Sequence, residues 1–323
     1  MIIYRWRTLP TQLLNWLNSY SQCYSDFPVH VIYQWSLDGS LVNSMPGTVF
    51  ILSVSSDIGR ALATIYADEG WTVIGTYRNF AGVETLKTHE MIHLLSCDVA
   101  NPNSIQKMLE EYMALDQPWD MFVSAVGVLD PIGPWLSIDF DSWEKSVAVN
   151  SLAQLRVLHG LYPCRRLEKI VHAVFFAGGG TNNPFTNYSA YCLGKIALIK
   201  MCELIDDEVS DVNAFIIGPG FMPTKIHQQT IASKESAGEG YNKTVSLRSS
   251  LNQSGSYRDL YNYIDWCIAQ GKSVAGGRNF ALMHDPWQYD EERLVQELRL
   301  DPSRYKLRRA GNTSAVKPKG KKN

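Results

Sequence analysis

The sequence predicts an α/β fold, a Rossmann-type doubly wound parallel β-sheet with helices on both faces, in a single main domain. Three observations carry this. Short apolar runs alternate with helical patterns from Thr48 to Met283, as in a parallel sheet covered on both sides. The first run, Val49-Phe-Ile-Leu52, leads through the small-residue turn Ser53-Val-Ser-Ser-Asp-Ile-Gly59 into a helical pattern. That arrangement sets a helix N-terminus against a nucleotide pyrophosphate. Tyr191 and Lys195 lie four apart on a long helical pattern, so they share a face.

The elements follow in order. Val49–Leu52 is a buried strand, and the helix after it runs through Ile58, Leu62 and Ile65 to a stop at Gly70. Trp71–Arg78 is the second strand and Met91–Ser96 the third. Pro102–Leu115 is a helix with Asn101 as N-cap and Pro102 at its first position. Trp119–Val126 is the fourth strand, and 139–158 is expected as one long helix. Lys169–Ala177 is the fifth strand, 187–209 the helix bearing Tyr191 and Lys195, and Val212–Gly218 the sixth strand. Residues 226–256 are polar and glycine-containing and are expected as a substrate loop. Helix returns over 260–270, and 276–283 reads as a turn and seventh strand.

The main domain is therefore placed at 47–285. Residues 1–46 form an N-terminal extension rich in Trp and Tyr. Leu13, Leu14, Trp16 and Leu17 suggest a short amphipathic helix, and Asp38-Gly39 a turn between two strands. The extension is read as a flap on the main domain or on a neighbouring subunit, with a membrane-surface helix as the alternative. Residues 286–323 form a C-terminal extension whose end is basic and expected to be a disordered tail.

Composition narrows the class of function. The formal net charge of -2 gives no reason to expect nucleic acid as the partner. No apolar stretch is long enough to span a bilayer, and the N-terminus lacks the pattern of a signal peptide. The six cysteines form no C-x-x-C, so no metal site is read, and their use suits a reducing cytoplasm.

With these motifs in order, the chain resembles the short-chain dehydrogenase/reductase family over roughly residues 47 to 285. The family's glycine-rich turn falls on Ser53, Asp57 and Gly59, with Ser55 and Ile58 between them. Its element after the fourth strand appears as Ser124-Ala-Val-Gly127, and its helix asparagine as Asn150. Pro219-Gly-Phe-Met-Pro-Thr224 matches the segment that closes over the nicotinamide, and Asp98-Val99 the pair that holds adenine. The resemblance implies an NAD(P)-dependent oxidoreductase acting on a small carbonyl or alcohol substrate, as a homodimer or homotetramer. In it Tyr191 exchanges a proton with the substrate oxygen, while Lys195 lowers the tyrosine pKa and bonds the nicotinamide ribose. Asn150 holds a water that links Lys195 to solvent. Ser53, Ser55, Asp57, Ile58, Gly59, Asp98, Val99, Ala125, Gly127, Pro219, Gly220, Met222 and Thr224 line the cofactor, together with Tyr191 and Lys195.

Arg78 ends the second strand where an acidic residue would bind a ribose 2′-hydroxyl. A cation there suits a 2′-phosphate, so NADP is expected over NAD. Three departures from the family pattern stand out. Ser53 and Asp57 replace the first two glycines of the turn, and Asp57 is expected to cap the helix that follows. Gly178, thirteen residues before Tyr191, stands where the family has its catalytic serine. Thr181, Ser189 or the N–H groups of Gly178-Gly-Gly180 are the candidates to replace it. That Gly-Gly-Gly loop, with Asp285-Pro-Trp287 and 298–309, is similar to a bacterial subgroup associated with polysaccharide or nucleotide-sugar pathways. The same departures support the alternative of a cofactor sensor or scaffold on this fold that has lost catalysis.

Overall fold

The computed structural model describes residues 46–80, 82–222, 224–249 and 255–309, and the backbone of two short strands, Gln34–Trp35 and Leu41–Val42. The chain divides into two units, Met1–Met45 and Pro46–Asn323. In the first, the two strands pair antiparallel on either side of Asp38-Gly39. The helix expected at Leu13–Leu17 and the basic tail beyond Arg309 lie outside the described residues.

In the second unit seven strands make one parallel sheet. They are β1 (Thr48–Leu52), β2 (Thr72–Tyr77), β3 (Ile92–Ser96), β4 (Met121–Ser124), β5 (Val171–Phe176), β6 (Val212–Gly218) and β7 (Asn279–Ala281), in the order β3-β2-β1-β4-β5-β6-β7. The chain winds outward from β1 through β2 to β3, then returns to β4 on the other side of β1. Registers such as Leu52 opposite Ser124 align the carboxyl ends of β1 and β4 at this switch point, where ligands of such sheets bind.

Side chains alternate along each strand, so each face of the sheet owns a core. Val49 and Ile51 join Leu62 and Tyr66 of α1 (Asp57–Asp68) on one face. Phe50 and Leu52 join Met108 and Tyr112 of α2 (Pro102–Met113) on the other. As the sequence predicts, Asn101 caps α2, its side chain accepting from the Asn103 N–H.

Two expectations are overturned here. The helix expected over 139–158 is two, α3 (Phe140–Asn150) and α4 (Leu152–Leu161). Ser151 breaks it with φ -140° and ψ -77°, and its hydroxyl donates to the Val147 carbonyl at 2.6 Å. The expected loop at 226–256 is largely helical: α6 (His227–Ala232), α7 (Lys234–Ala237) and α8 (Glu239–Ser249) follow α5 (Ser189–Glu208) and β6.

Beyond them, α9 (Tyr257–Ala269) buries Leu260, Tyr263 and Ile264, and α10 (Lys272–Ala275) leads into β7. Leu294 and Leu298 of α11 (Glu291–Leu300) enter the same core. The buried Arg278 guanidinium donates to the Leu298 and Arg304 carbonyls at 2.7 and 2.9 Å, and the Asn279 N–H donates to the Tyr305 carbonyl at 2.8 Å. Residues 291–309 are thereby tied to the edge strand.

Candidate active site

The residues singled out in the sequence gather beyond the carboxyl ends of β1, β4, β5 and β6. Ser53 leaves β1 with φ +74°, the left-handed region that glycine occupies without penalty. Its N–H donates to Thr76 Oγ1 at 2.9 Å. Ser56, not Asp57, caps α1: its Oγ accepts from the Gly59 N–H at 3.0 Å and donates to the Ser53 carbonyl at 2.8 Å. This corrects the expectation for Asp57. Its Oδ2 instead accepts from the Lys225 N–H at 2.6 Å, and Lys225 Nζ donates to the Ser55 carbonyl at 2.6 Å. Ile58 packs on the core below the turn.

At the end of β4, the Ala125 N–H donates to the Leu52 carbonyl, which ties this exit to that of β1. A Cβ added at Gly127 would stand 3.4 Å from Ile226 Cδ1. Asn150 is fully buried. Its Oδ1 accepts from the Val128 N–H at 3.1 Å, and its Nδ2 donates to the Val128 and Ser146 carbonyls at 2.8 and 3.0 Å. The helix break at Ser151 follows directly, so the same residue ends α3 and pins the β4 exit.

Tyr191 and Lys195 lie on the inward face of α5, 9% and 3% exposed. Lys195 Nζ donates to the Val126 carbonyl at 3.0 Å and stands 5.9 Å from the centre of the Tyr191 ring. Burial depresses the Lys195 ammonium to about 7. Burial also pushes the Tyr191 phenol well above its ordinary value. The expected lowering by Lys195 is thus not what this packing produces, because desolvation disfavours both charged forms. Leu129, Tyr188, Tyr191 and Ala237 form one apolar cluster, with Ile226 and Tyr241 packed against it, so α7 and α8 contribute to the cover of this cluster.

Gly178 sits directly against the Tyr191 hydroxyl, and a Cβ on it would overlap Oη and the ring. The glycine in the serine position is therefore required by this tyrosine packing. Of the expected substitutes, Thr181 Oγ1 turns back toward the Gly178 carbonyl at 3.5 Å, and Ser189 Oγ accepts from Trp143 Nε1 at 2.9 Å. Among the described residues none accepts from the N–H groups of Gly178, Gly179 or Gly180. These are donors to which a ligand oxygen can bind.

Further out, Arg78 is exposed and lines a cavity of about 430 Å³ together with Val128, Asp130, Lys145, Ser146 and Gln229. Asp98 Oδ1 accepts from the Ala100 N–H at 3.1 Å, and Val99 packs on the second core. After Pro219, Gly220 takes φ +74°. Buried Met222 accepts from the Thr224 N–H at 2.8 Å. The sequence reading missed the Val126 carbonyl, which as a backbone acceptor leaves no residue signature. It also missed Lys225 and Lys145, although a cation directly after Thr224 is a readable signal. Gln229, which accepts from the Leu129 N–H at 2.9 Å, had none.

The turn, the exposed cation after β2 and the absence of an acidic residue there fit a phosphorylated dinucleotide. The Asp57 carboxylate at the start of α1 opposes it, as does Asp130 in the cavity lined by Arg78.

Residues 53–273 match the sequence profile of a family described as Enoyl-(Acyl carrier protein) reductase. Serine 3-dehydrogenase of Agrobacterium fabrum is 23% identical over 235 residues, covering 71% of this chain and 91% of that protein. The NADPH-dependent pterin aldehyde reductase of Arabidopsis thaliana is 24% identical over 184 residues, 55% of this chain and 76% of that one. Among solved structures, the short-chain dehydrogenase/reductase YIR035C of Saccharomyces cerevisiae superimposes with a TM-score of 0.62 at 19% identity, over 76% of this chain and 98% of that one. A short-chain dehydrogenase of Shigella flexneri 2a, complexed with NADP, gives 0.62 at 18% identity, over 73% and 96%.

Proposed function

The chain belongs to the short-chain dehydrogenase/reductase family and is an NAD(P)-dependent oxidoreductase, and from that premise we propose that it moves a hydride between NADP(H) and the carbonyl or hydroxyl carbon of a small molecule, with Tyr191 as general acid/base. The observation that carries the reading is the pair itself. Tyr191 and Lys195 are buried together beyond β4 and β5, and Lys195 is anchored to the Val126 carbonyl. When bound, the nicotinamide supplies or accepts the hydride. The rest is done by the chain. Burial keeps the Tyr191 phenol protonated, the form that donates to a carbonyl oxygen during reduction. The N–H groups of Gly178–Gly180 hold that oxygen in place of a serine hydroxyl. Asn150 fixes the β4 exit through its two bonds to Val128; in this reading it also holds a water between Lys195 and solvent.

Ser53, Ser55, Ile58 and Gly59 form the pyrophosphate turn. Asp98, Val99, Ala125 and Gly127 frame the adenosine, and Pro219, Gly220, Met222 and Thr224 the nicotinamide end. Arg78 favours NADP through the 2′-phosphate, in keeping with the NADPH-dependent Arabidopsis relative and the NADP complex of the Shigella protein. Among the described residues the cysteines Cys97, Cys164, Cys192, Cys202 and Cys267 are unpaired, which suits the reducing cytoplasm.

The second reading, a cofactor sensor that has lost catalysis, is favoured by Gly178, where the tyrosine leaves no room for a side chain. Titration with NADPH and NADH, followed by nicotinamide fluorescence, tests the cofactor. Saturable binding that prefers NADPH and weakens in Arg78→Ala is expected; equal affinity for both would remove the NADP assignment. Turnover of a carbonyl panel that disappears in Lys195→Ala rejects the sensor. NADPH binding without turnover on any of the panel favours it.

A further inference from the structure

Lys225 links two segments that the reading above assigns to the cofactor. Its N–H donates to the Asp57 carboxylate at the first residue of α1, and its ammonium donates to the Ser55 carbonyl within the turn. Both bonds are 2.6 Å long, short as charge-assisted bonds are. Both are solvent-exposed, so water and other anions compete for them.

A carboxylate at the N-terminus of a helix is favoured by the same dipole and N–H groups that favour a phosphate. Asp57 therefore supplies to this turn the kind of charge that a dinucleotide brings. The two anions repel each other unless a cation lies between them. The cation bonded within the turn is Lys225.

The geometry points to an anion-exchange clasp: Asp57 holds the chain at Lys225 across the phosphate-binding turn, and a dinucleotide pyrophosphate displaces this contact and takes the Lys225 ammonium as its counter-charge. Lys225 is then a pyrophosphate-binding residue, and Asp57 sets how readily the turn opens. This rests on the dinucleotide reading and deepens it.

The test is NADPH titration of the full chain by nicotinamide fluorescence, with ADP-ribose as a competitor that carries the diphosphate without the nicotinamide. Asp57→Gly removes the carboxylate, and Asp57→Asn removes its charge while leaving an acceptor for the Lys225 N–H. Both tighten NADPH binding by about tenfold, the worth of one charged hydrogen bond. Lys225→Met weakens NADPH and ADP-ribose together by about tenfold, in the wild-type and Asp57→Gly backgrounds alike. A wild type that fails to bind beside an Asp57→Gly variant that binds saturably also supports the clasp. NADPH affinities within twofold across all variants overturn the clasp and leave the dinucleotide site standing. Binding by none of them overturns the site and the clasp together.

Discussion

Gly178 and Tyr191 show why a motif position is not a residue role. A sequence comparison marks Gly178 as a missing serine, whereas the structure fills that space with the Tyr191 phenol. Restoring the serine is therefore expected to harm the site. Gly178→Ser displaces Tyr191 from the α5 face and lowers kcat by at least about tenfold, against the gain that a simple lost-hydroxyl account expects. Steady-state assay of the two proteins distinguishes these. Lys195 carries its own stability signature. Its folded pKa is depressed from 10.5 to about 7 by burial, so between these values the unfolded chain binds more protons than the folded one. The penalty is complete below about pH 7, shrinks as pH rises and is gone above about 10.5. Lys195→Met removes the charge and keeps the stem. It should raise Tm by at least about 3 °C at pH 6.5, with the gain over wild type fading toward pH 10. Calorimetry across that range measures it; a gain independent of pH would contradict the assignment.

The element that governs the site is the contact between α3 and α5. Gly194, between Tyr191 and Lys195, lets α5 approach so closely that an added Cβ would stand 2.5 Å from the Asn150 Cβ. Gly194→Ala is expected to cost about 1–3 kcal/mol by overpacking and to shift Asn150 away from Val128. Denaturant melts would show the loss, and amide exchange at Val128 would rise with it. The strands were legible in the sequence because Val49-Phe-Ile-Leu52 and Ala214-Phe-Ile-Ile217 are apolar on both faces, as is usual for buried parallel strands. The break at Ser151 was not, because it carries neither proline nor glycine and arises from side-chain bonds of Asn150 and Ser151. The cover helices were missed for a related reason. Glu239–Ser249 has almost no apolar periodicity, and Gly238 and Gly240 punctuate it like a loop.

Taken as a whole, the Pro46–Asn323 unit has one parallel sheet that brings residues from 53 to 225 to its carboxyl edge. Tyr191, Lys195 and Asn150, the residues of the proposed site, were readable because their side-chain types and order along the chain are themselves the signal. The partners that fix them, the Val126 and Val128 backbone groups, became visible only in the fold. Among the described residues no helix is long and apolar enough to cross a membrane. Leu193 and Leu204 stay exposed along α5, as does Leu152 on α4. We propose that these helices pair in a homodimer or homotetramer. Sedimentation should give an oligomer for the wild type and a monomer for Leu193→Glu/Leu204→Glu, since charges there oppose burial; an unchanged oligomer would place the interface elsewhere.

Tyr191→Phe tests the central claim most directly, because it keeps the ring in the apolar cluster with Leu129, Tyr188 and Ala237 and removes only the hydroxyl. The measurement is NADPH oxidation with a carbonyl substrate that the wild type reduces, beside NADPH affinity by fluorescence. The account predicts unchanged NADPH affinity and a loss of about 10²–10⁴ in kcat, the usual contribution of a positioned general acid. Turnover at the wild-type rate would contradict it and remove Tyr191 from the chemistry.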